Sequence, residues 1–333
     1  MLPKTREIRR NLFADKTSLE VADSFNQELI EDIQAAAPGL ESLYITVLEG
    51  VKFSSEGISK LENLEQLQIL EGAGLERLLL PELGELKHLK YLNIDIDERA
   101  ELDEIDLSVL AGNESIEVIQ IECTVKSVKL KGLSSCTKLR TISLIGINGD
   151  HVDFSDLSGS PSLTAIQVLK FGEGISDDIE AFKIILPQNI PLDTLSIADF
   201  MGEGKVDIDL SVLMEQKHIE MISLVNLNIP SFDCGLLSNT ERIGQLLLDD
   251  NDITEIDITP IIEKPMNEYH GISFSVDEKT KVIIRVPSEK IERLIKHPQE
   301  KVTILTKDGQ IEGLYGFQWL QYALDNYDIE FKE

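Results

Sequence analysis

One apolar pattern returns along most of this sequence, and it restricts the possible folds more than any other feature. The pattern places apolar residues at its first, fourth and sixth positions, as in Leu64-Glu-Gln-Leu67-Gln-Ile69. It recurs about every 25 residues, a period typical of solenoids. A unit this short cannot bury its apolar side chains alone, so we predict that successive units stack and share one core. The clear copies begin at Leu40, Leu64, Leu89, Ile116, Leu139, Leu163, Leu192, Ile219 and Ile243.

These copies resemble the leucine-rich-repeat family, whose repeats of about 20–29 residues share an L-x-x-L-x-L core. The last copy also has the asparagine step of that family at Asn251, whereas earlier copies have Ile147 or Leu227 there. These departures affect the subfamily and not the fold, because the asparagine only satisfies backbone groups of a turn. The resemblance implies an α/β leucine-rich-repeat solenoid, a curved horseshoe with a parallel inner sheet of about 11–13 strands. Its convex side would be mostly extended or 3₁₀, with helices at both ends.

Three segments are predicted along the chain. Residues 1–39 would form an N-terminal cap with a helix over 24–37, started by Ser24. Residues 40–265 would hold the leucine-rich repeats. Residues 266–333 would form either C-terminal repeats or a separate α/β cap. This last segment would contain helices at 288–297 and 316–326 and inner strands at 302–304 and 329–331, each inner strand read from an apolar-x-apolar triplet.

Strand periodicity predicts which side chains point outward from the inner sheet. At these positions only Asp95, Glu122 and Asp249 are charged, although 27% of the chain is charged. Neutral residues could simply avoid like charges on adjacent strands. Alternatively, the concave face binds a partner protein, since interface cores lose charge and keep aromatic residues. The predicted partner-binding residues are Tyr44, Gln68, Leu70, Tyr91, Asn93, Val118, Gln120, Ile145, Gln167, Leu169, Met221, Val225 and Leu247.

The acidic composition limits the classes of partner. Thirty-one Lys and Arg against 60 Asp and Glu give a formal net charge of −29. This charge disfavours nucleic acid and anionic membrane surfaces and favours a partner protein that is basic. The densest acidic segments, 95–106 and 249–257, are interpreted as a solvated surface or, alternatively, as a docking patch. The second interpretation gives an alternative function, an immunity- or inhibitor-type protein that masks a basic toxin or nuclease.

No motif in the sequence indicates catalysis. The histidines are scattered, and we find no metal-ligand spacing, phosphate loop or nucleophile–base grouping. We therefore expect no enzyme activity, no metal and no cofactor. No secretory signal and no apolar run of roughly 20 residues is visible, so a cytoplasmic location is expected. Cys123, Cys136 and Cys234 are interpreted as small buried apolar residues. A protein-interaction module is the leading hypothesis, and a bacterial effector, or an enzyme with its site in 265–333, is a further alternative.

Overall fold

The computed structural model describes eleven stretches of the chain, and these fall into two compact units. Unit 1 comprises Met1–Ile179 with Lys183–Pro191, and unit 2 comprises Glu180–Phe182 with Leu192–Glu333. Both units consist mainly of β-strands and short 3₁₀ helices, with few α-helices. The described stretches are 5–22, 25–48, 52–100, 102–169, 181–199, 205–262, 273–277, 279–285, 301–306, 309–315 and 328–331.

Unit 1 begins with two α-helices, α1 (Arg6–Phe13) and α2 (Gln27–Ala36). Helix α2 confirms that a helix lies in the predicted segment. Its N-cap is Asn26, whose side chain accepts a hydrogen bond from Leu29 N at 3.0 Å. The predicted cap, Ser24, was wrong, because the cap is the residue whose side chain can reach the free N–H groups of the first turn. Ser24 itself lies outside the described residues.

Helix α1 was not predicted, and it is held by the burial of Phe13, which is 2% exposed, and by a cluster of charges shared with α2. Arg6 Nε, Arg9 Nε and Arg10 Nε lie 2.8, 2.9 and 2.9 Å from the carboxylate oxygens of Asp32, which is 0% exposed. Burial raises the pKa of the Asp32 carboxyl, but the hydrogen bonds from the three arginines outweigh burial and bring it below its usual 3.8. Asp32 is therefore a buried anion with a complete set of partners.

The strands of unit 1 alternate between a main sheet and short return segments. β1, β2, β4, β6, β8, β9 and β11 pair in parallel as the main sheet. β3 pairs with β5, β7 with β8, and β10 with β12, all in parallel. The strands are β1 (Ser18–Val21), β2 (Ser42–Val47), β3 (Phe53–Ser54), β4 (Gln66–Glu71), β5 (Leu78–Leu79), β6 (Tyr91–Ile96), β7 (Leu102–Asp106), β8 (Val118–Lys129), β9 (Thr141–Ile147), β10 (His151–Asp153), β11 (Ala165–Leu169) and β12 (Phe182–Ile185). The 3₁₀ helices are Ile58–Lys60, Leu83–Glu85, Ser108–Leu110, Leu133–Ser135 and Ser155–Leu157.

The repeated apolar side chains of unit 1 form one continuous core. Leu67, Leu92 and Ile119 occupy directly paired positions of β4, β6 and β8. All three are fully buried, and burying a side chain of this size contributes about 2 kcal/mol. Most residues that alternate with them stay partly exposed, as the strand period of two requires; Asn93 of β6 is buried. The stacking predicted from the repeat is therefore confirmed in unit 1.

Unit 2 has the same organisation. β13, β15, β16, β18 and β20 pair in parallel, and β21 runs antiparallel to β20. β17, β19 and β22 form a second parallel sheet. The strands are β13 (Thr194–Ala198), β14 (Val206–Ile208), β15 (His218–Val225), β16 (Arg242–Leu247), β17 (Glu255–Asp257), β18 (Ser273–Ser275), β19 (Lys281–Ile284), β20 (Lys301–Thr306), β21 (Gly309–Tyr315) and β22 (Asp328–Phe331). Among the described residues of unit 2, the helices are the 3₁₀ segments Ser211–Glu215 and Cys234–Leu237 and the short α3 (Thr259–Ile262).

Two features of the C-terminal segment differ from the prediction. Residues 329–331 are not an inner strand, because β22 pairs with β19 in the second sheet. An apolar-x-apolar triplet suits either kind of strand, so the sequence pattern did not separate them. The antiparallel strand β21 was not predicted. The helices predicted at 288–297 and 316–326 lie outside the described residues, and the boundaries after residues 39 and 265 stay predictions.

The architecture of each unit follows from these pairings. Parallel main strands in register, a buried aliphatic core and returns of short strands and 3₁₀ turns make up a leucine-rich-repeat solenoid. The predicted α/β fold class is confirmed, as is the mostly extended or 3₁₀ return side.

Candidate protein-binding surface

Outward-facing residues of the main sheet form three columns in unit 1, and we call these columns the open face of unit 1. The sheet register aligns each column across six strands. Every partner-binding residue predicted between 40 and 170 lies on this face. The columns are Ser42, Gln66, Tyr91, Val118, Thr141 and Ala165; Tyr44, Gln68, Asn93, Gln120, Ser143 and Gln167; and Thr46, Leu70, Asp95, Glu122, Ile145 and Leu169.

Unit 2 has its own open face, formed by the corresponding residues of β13, β15 and β16. Met221 pairs with Thr194 and Gln245, and Val225 pairs with Ala198. Leu247 pairs with Ser223, which is the central position of the preceding strand. Met221, Val225 and Leu247, the predicted residues of this part of the chain, are all half-buried. The sequence therefore placed them correctly on the sheet, while their binding role stays a prediction.

The open face of unit 1 is largely neutral and is ordered by side-chain hydrogen bonds. Tyr91 Oη donates to Gln120 Oε1 at 3.3 Å, and Ser143 Oγ donates to Gln167 Oε1 at 2.8 Å. Burial raises the pKa of the Tyr91 phenol, and the nearby Tyr44 raises it further. Tyr91 therefore stays neutral at physiological pH and keeps its hydroxyl proton. A partner would meet half-buried aromatic and aliphatic groups among fixed amides.

Two carboxylates are the exception on this neutral face. Asp95 and Glu122 occupy directly paired positions of the neighbouring strands β6 and β8. Neither carboxylate forms an ion pair with any described residue. Like charges directly opposite each other on adjacent strands destabilise a sheet. The pair is therefore a site of unrelieved negative charge.

Asn93 lies in the central column, next to these carboxylates, and it lacks the side-chain hydrogen bonds that order other residues of this face. It is 9% exposed, and its Oδ1 is buried without a hydrogen-bond partner among the described residues. An unsatisfied buried acceptor costs about 1–3 kcal/mol. The sequence predicted that Asn93 faces outward, but a missing partner depends on side-chain positions and leaves no signal in a sequence.

Comparisons with known proteins find similar structures but no related sequences. No protein-family model matches the chain, and no curated protein matches it in sequence. Among solved structures, it is similar to the functional domain of InlJ from Listeria monocytogenes, with a TM-score of 0.44 and 19% identity. That match covers 83% of this chain, which spans only 56% of the InlJ chain. It is also similar to the internalin InlF of Listeria monocytogenes, with a TM-score of 0.33 and 15% identity, over 84% of this chain and 88% of that one.

The acidic segment 95–106 is partly neutralised within unit 1. Asp103 pairs with Lys126 and Glu104 with Lys129, each with a nitrogen–oxygen distance of 2.7 Å. The hydrogen bond from Lys126 lowers the pKa of Asp103. Both pairs link β7 to β8 at the protein surface, where ion pairs contribute little to stability. These carboxylates are less available to a basic partner than the sequence alone suggested.

The second acidic segment contains the family-like asparagine, which serves the backbone of a turn in unit 2. Asn251 Oδ1 accepts hydrogen bonds from Leu227 N at 3.1 Å and Ile229 N at 3.3 Å. Its Nδ2 donates to Leu224 O at 2.7 Å and Leu248 O at 2.9 Å. The asparagine therefore has the turn role that the resemblance implied.

A cavity of about 450 Å³ in unit 2 borders this turn and is lined partly by Asp250, Asp252 and Asp277. Asp277 is 5% exposed, and its two oxygens accept hydrogen bonds from Asp250 N and Asn251 N, both at 3.1 Å. The buried carboxylate is thus already used by the turn. Within the described stretches, no group of His, Cys, Asp and Glu is arranged to hold a metal ion.

The cysteines are structural, as expected. Cys123, Cys136 and Cys234 are all buried and free. Burial raises the pKa of Cys123 and of Cys234 to about 12, so these thiols are unreactive at neutral pH. None of the helices in the described residues combines the length and the apolar character that a membrane crossing requires.

Proposed function

We propose that this chain is a protein-interaction module that binds a partner protein on the open faces of its main sheets. The single observation that supports this proposal is the sheet register, which aligns neutral, half-buried side chains into continuous columns. Aromatic and aliphatic groups in such columns lose water when a partner covers them. Tyr and Met are enriched in the cores of protein interfaces for this reason.

The competing explanation is that the columns are neutral only to avoid repulsion between strands. Serine or threonine throughout would meet that need equally well. The open faces instead contain Tyr44, Leu70, Tyr91, Met221 and Leu247, all partly exposed to solvent. Exposed apolar side chains gain nothing from the folded state alone, and they favour a binding role.

The experiment begins with the partner that co-purifies from the source cells, whose affinity is then measured by titration calorimetry. Truncating Tyr91 or Met221 to alanine should weaken binding by about tenfold each, the range of interface anchors. Met214→Ala and Leu79→Ala are matched controls, because both residues are exposed apolar side chains (47% and 44%) away from the open faces. These controls should leave the affinity unchanged.

Two results would count against the proposal. Equal effects of the open-face variants and their controls would remove the open faces as the binding surface. The affinity could instead fall steeply between low and moderate salt while Tyr91→Ala and Met221→Ala have no effect. That result would favour the inhibitor-type alternative, which uses the acidic surface.

A further inference from the structure

We propose that Asn148 is a site of spontaneous deamidation, at which the backbone nitrogen of Gly149 converts the side-chain amide into a carboxylate. The two residues form the only Asn-Gly sequence in the chain, and they lie in the turn between β9 and β10. Two observations of the structure support this modification site, a reacting pair without hydrogen bonds and a backbone contact that requires the glycine. The site is independent of the function proposed above.

Among the described residues, neither reacting group is held by a hydrogen bond. Oδ1 of Asn148 is buried without a partner, and Nδ2 of the same side chain donates to no described residue. The N–H group of Gly149 also has no acceptor among the described residues. The nitrogen that attacks the side-chain amide belongs to the next residue, so burial of Oδ1 does not prevent the first step.

Asn113 illustrates the opposite, restrained arrangement. Its Oδ1 accepts a hydrogen bond from Ser115 N at 2.9 Å, and its Nδ2 donates to Leu86 O at 3.0 Å. The residue after it is Glu114, whose side chain shields the backbone nitrogen. We therefore expect Asn113 to stay intact under conditions in which Asn148 reacts.

The fold requires a glycine directly after Asn148. A Cβ atom on Gly149 would overlap the carbonyl oxygen of Lys126 on β8, so a residue with a side chain does not fit in this closely packed turn. Glycine also leaves its nitrogen unshielded and has wide backbone freedom, which helps the nitrogen to reach the preceding side chain. The contact that packs the turn against β8 thus keeps a readily deamidated sequence in place.

The reaction needs water and no other co-reactant. The nitrogen of Gly149 forms a bond to Cγ of Asn148, the Cγ–Nδ2 bond breaks, and the proton of the attacking nitrogen leaves with the departing ammonia. Water then opens the resulting succinimide ring at either of its carbonyl carbons. Opening at Cγ gives aspartate, whereas opening at the main-chain carbon gives isoaspartate, whose backbone contains an additional methylene group.

Either product weakens the junction between β8 and the turn. Asn148 N donates to Val125 O at 2.7 Å, directly after the paired residues Val125 and Ile147. Aspartate places a negative charge at a buried position where no described residue donates to the side chain, and the carboxylate must move into water to avoid that cost. Isoaspartate lengthens the backbone between this hydrogen bond and the Lys126 contact, so the two no longer fit together.

The test uses the unmodified full chain. The protein is incubated at mildly alkaline pH, which favours loss of the proton from the attacking nitrogen, and peptide mapping by mass spectrometry follows every asparagine over time. Deamidation exchanges the mass of an ammonia for that of a water, and electron-transfer fragmentation separates the two products. Asn148 should react at least about tenfold faster than Asn113 and every other asparagine. Its rate should lie within about tenfold of its rate in guanidinium chloride.

Two results would overturn the modification site. One is an asparagine elsewhere in the folded chain that reacts as fast as Asn148. The other is a rate for Asn148 more than about tenfold below its rate in guanidinium chloride, because the fold would then protect the turn.

Matched variants test the consequence for the fold. Asn148→Asp mimics the aspartate product, and Asn11→Asp adds the same charge at an exposed position of α1. The protection factor of the residue-148 amide should fall at least about tenfold in Asn148→Asp and in the deamidated chain, whereas Asn11→Asp should leave it unchanged. Unchanged protection of this amide in the deamidated chain would reject the weakened junction.

Discussion

Two buried asparagines in different regions of the molecule have opposite surroundings. Asn251, in the turn of unit 2, is 3% exposed and has hydrogen-bond partners for both its oxygen and its nitrogen. Asn93, on the open face of unit 1, is 9% exposed and has an oxygen with no partner. A residue that holds the fold together is satisfied within the fold. The unsatisfied oxygen of Asn93 instead costs the folded chain free energy, because it loses its hydrogen bonds to water on folding and gains none.

The largest expected effect is at the satisfied asparagine. Asn251→Ala removes its side chain from a turn and leaves several buried backbone groups of Leu224, Leu227 and Ile229 without partners. We expect a loss of about 3 kcal/mol in the free energy of unfolding. Urea unfolding of the full chain, together with hydrogen exchange at Leu227 and Ile229, measures it. A loss below about 1 kcal/mol would mean that water replaces the side chain and that the contrast with Asn93 is weak.

Asp32 is a second buried group with a full set of partners, and it tests whether a charged group stabilises the fold in the same way as Asn251. Asp32→Ala deprives Arg6, Arg9 and Arg10 of their shared buried acceptor. We expect the free energy of local unfolding of α1 to fall by about 2 kcal/mol, the range of hydrogen bonds to charged groups. Amide exchange in α1, compared with an unaffected strand such as β9, provides the measurement. Unchanged exchange in α1 would show that another contact attaches this helix.

The same carboxylate predicts how the wild-type cap responds to pH. Because its pKa is lower in the folded chain than the ordinary 3.8, Asp32 contributes its full stabilisation above pH 3.8. That stabilisation is lost as the pH falls through the lower, folded pKa. The protection factors of the α1 amides, which correct for the intrinsic pH dependence of exchange, should therefore fall below about pH 3.8 in the wild type and should depend less on pH in Asp32→Ala. Equal pH dependence in both proteins would contradict this assignment.

Replacing the unsatisfied asparagine should have a smaller effect of opposite sign. Asn93→Leu removes an acceptor without a partner, and leucine suits this column because Leu247 occupies the central position of β16 in unit 2. We expect the free energy of unfolding to rise by about 1 kcal/mol. Thermal and urea unfolding would show this increase. A destabilised Asn93→Leu would indicate that the amide is satisfied in solution, and the comparison with Asn251 would fail.

The smallest expected effect concerns the paired carboxylates. Glu122→Gln relieves its repulsion with Asp95 across β6 and β8, and should stabilise the chain by a few tenths of a kcal/mol. Glu114→Gln, in an exposed turn, is the control for the loss of one negative charge. The difference between the two unfolding midpoints should shrink at high salt, because screening removes the repulsion. A difference independent of salt would assign the effect to packing.

The repeat made the main features of the fold predictable. Residues that return in phase, such as Leu67 and Leu92, can share a core only on adjacent strands, so the register followed directly from the spacing. The outward-facing columns followed from the strand period of two, and every predicted partner-binding residue lies on a main strand. Asp249, which was also predicted to face outward from the sheet, lies beyond the end of β16. The cytoplasmic location and the basic character of the partner stay predictions.

Features that depend on contacts between distant residues were not predictable from the spacing. Helix α1 has a mostly polar sequence, and its arginines bond to Asp32, a residue of another helix. The placement of β22 beside β19 depends on which neighbour completes its hydrogen bonds, and an apolar triplet does not specify that neighbour.

The sequence by itself therefore determined the solenoid, its register and the residues that face outward, because apolar periodicity acts locally and repeats. Only the tertiary structure decided which polar groups are satisfied. Asn93 and Asn251 are the same residue type, and hydrogen bonding depends on atoms that the fold brings within about 3 Å.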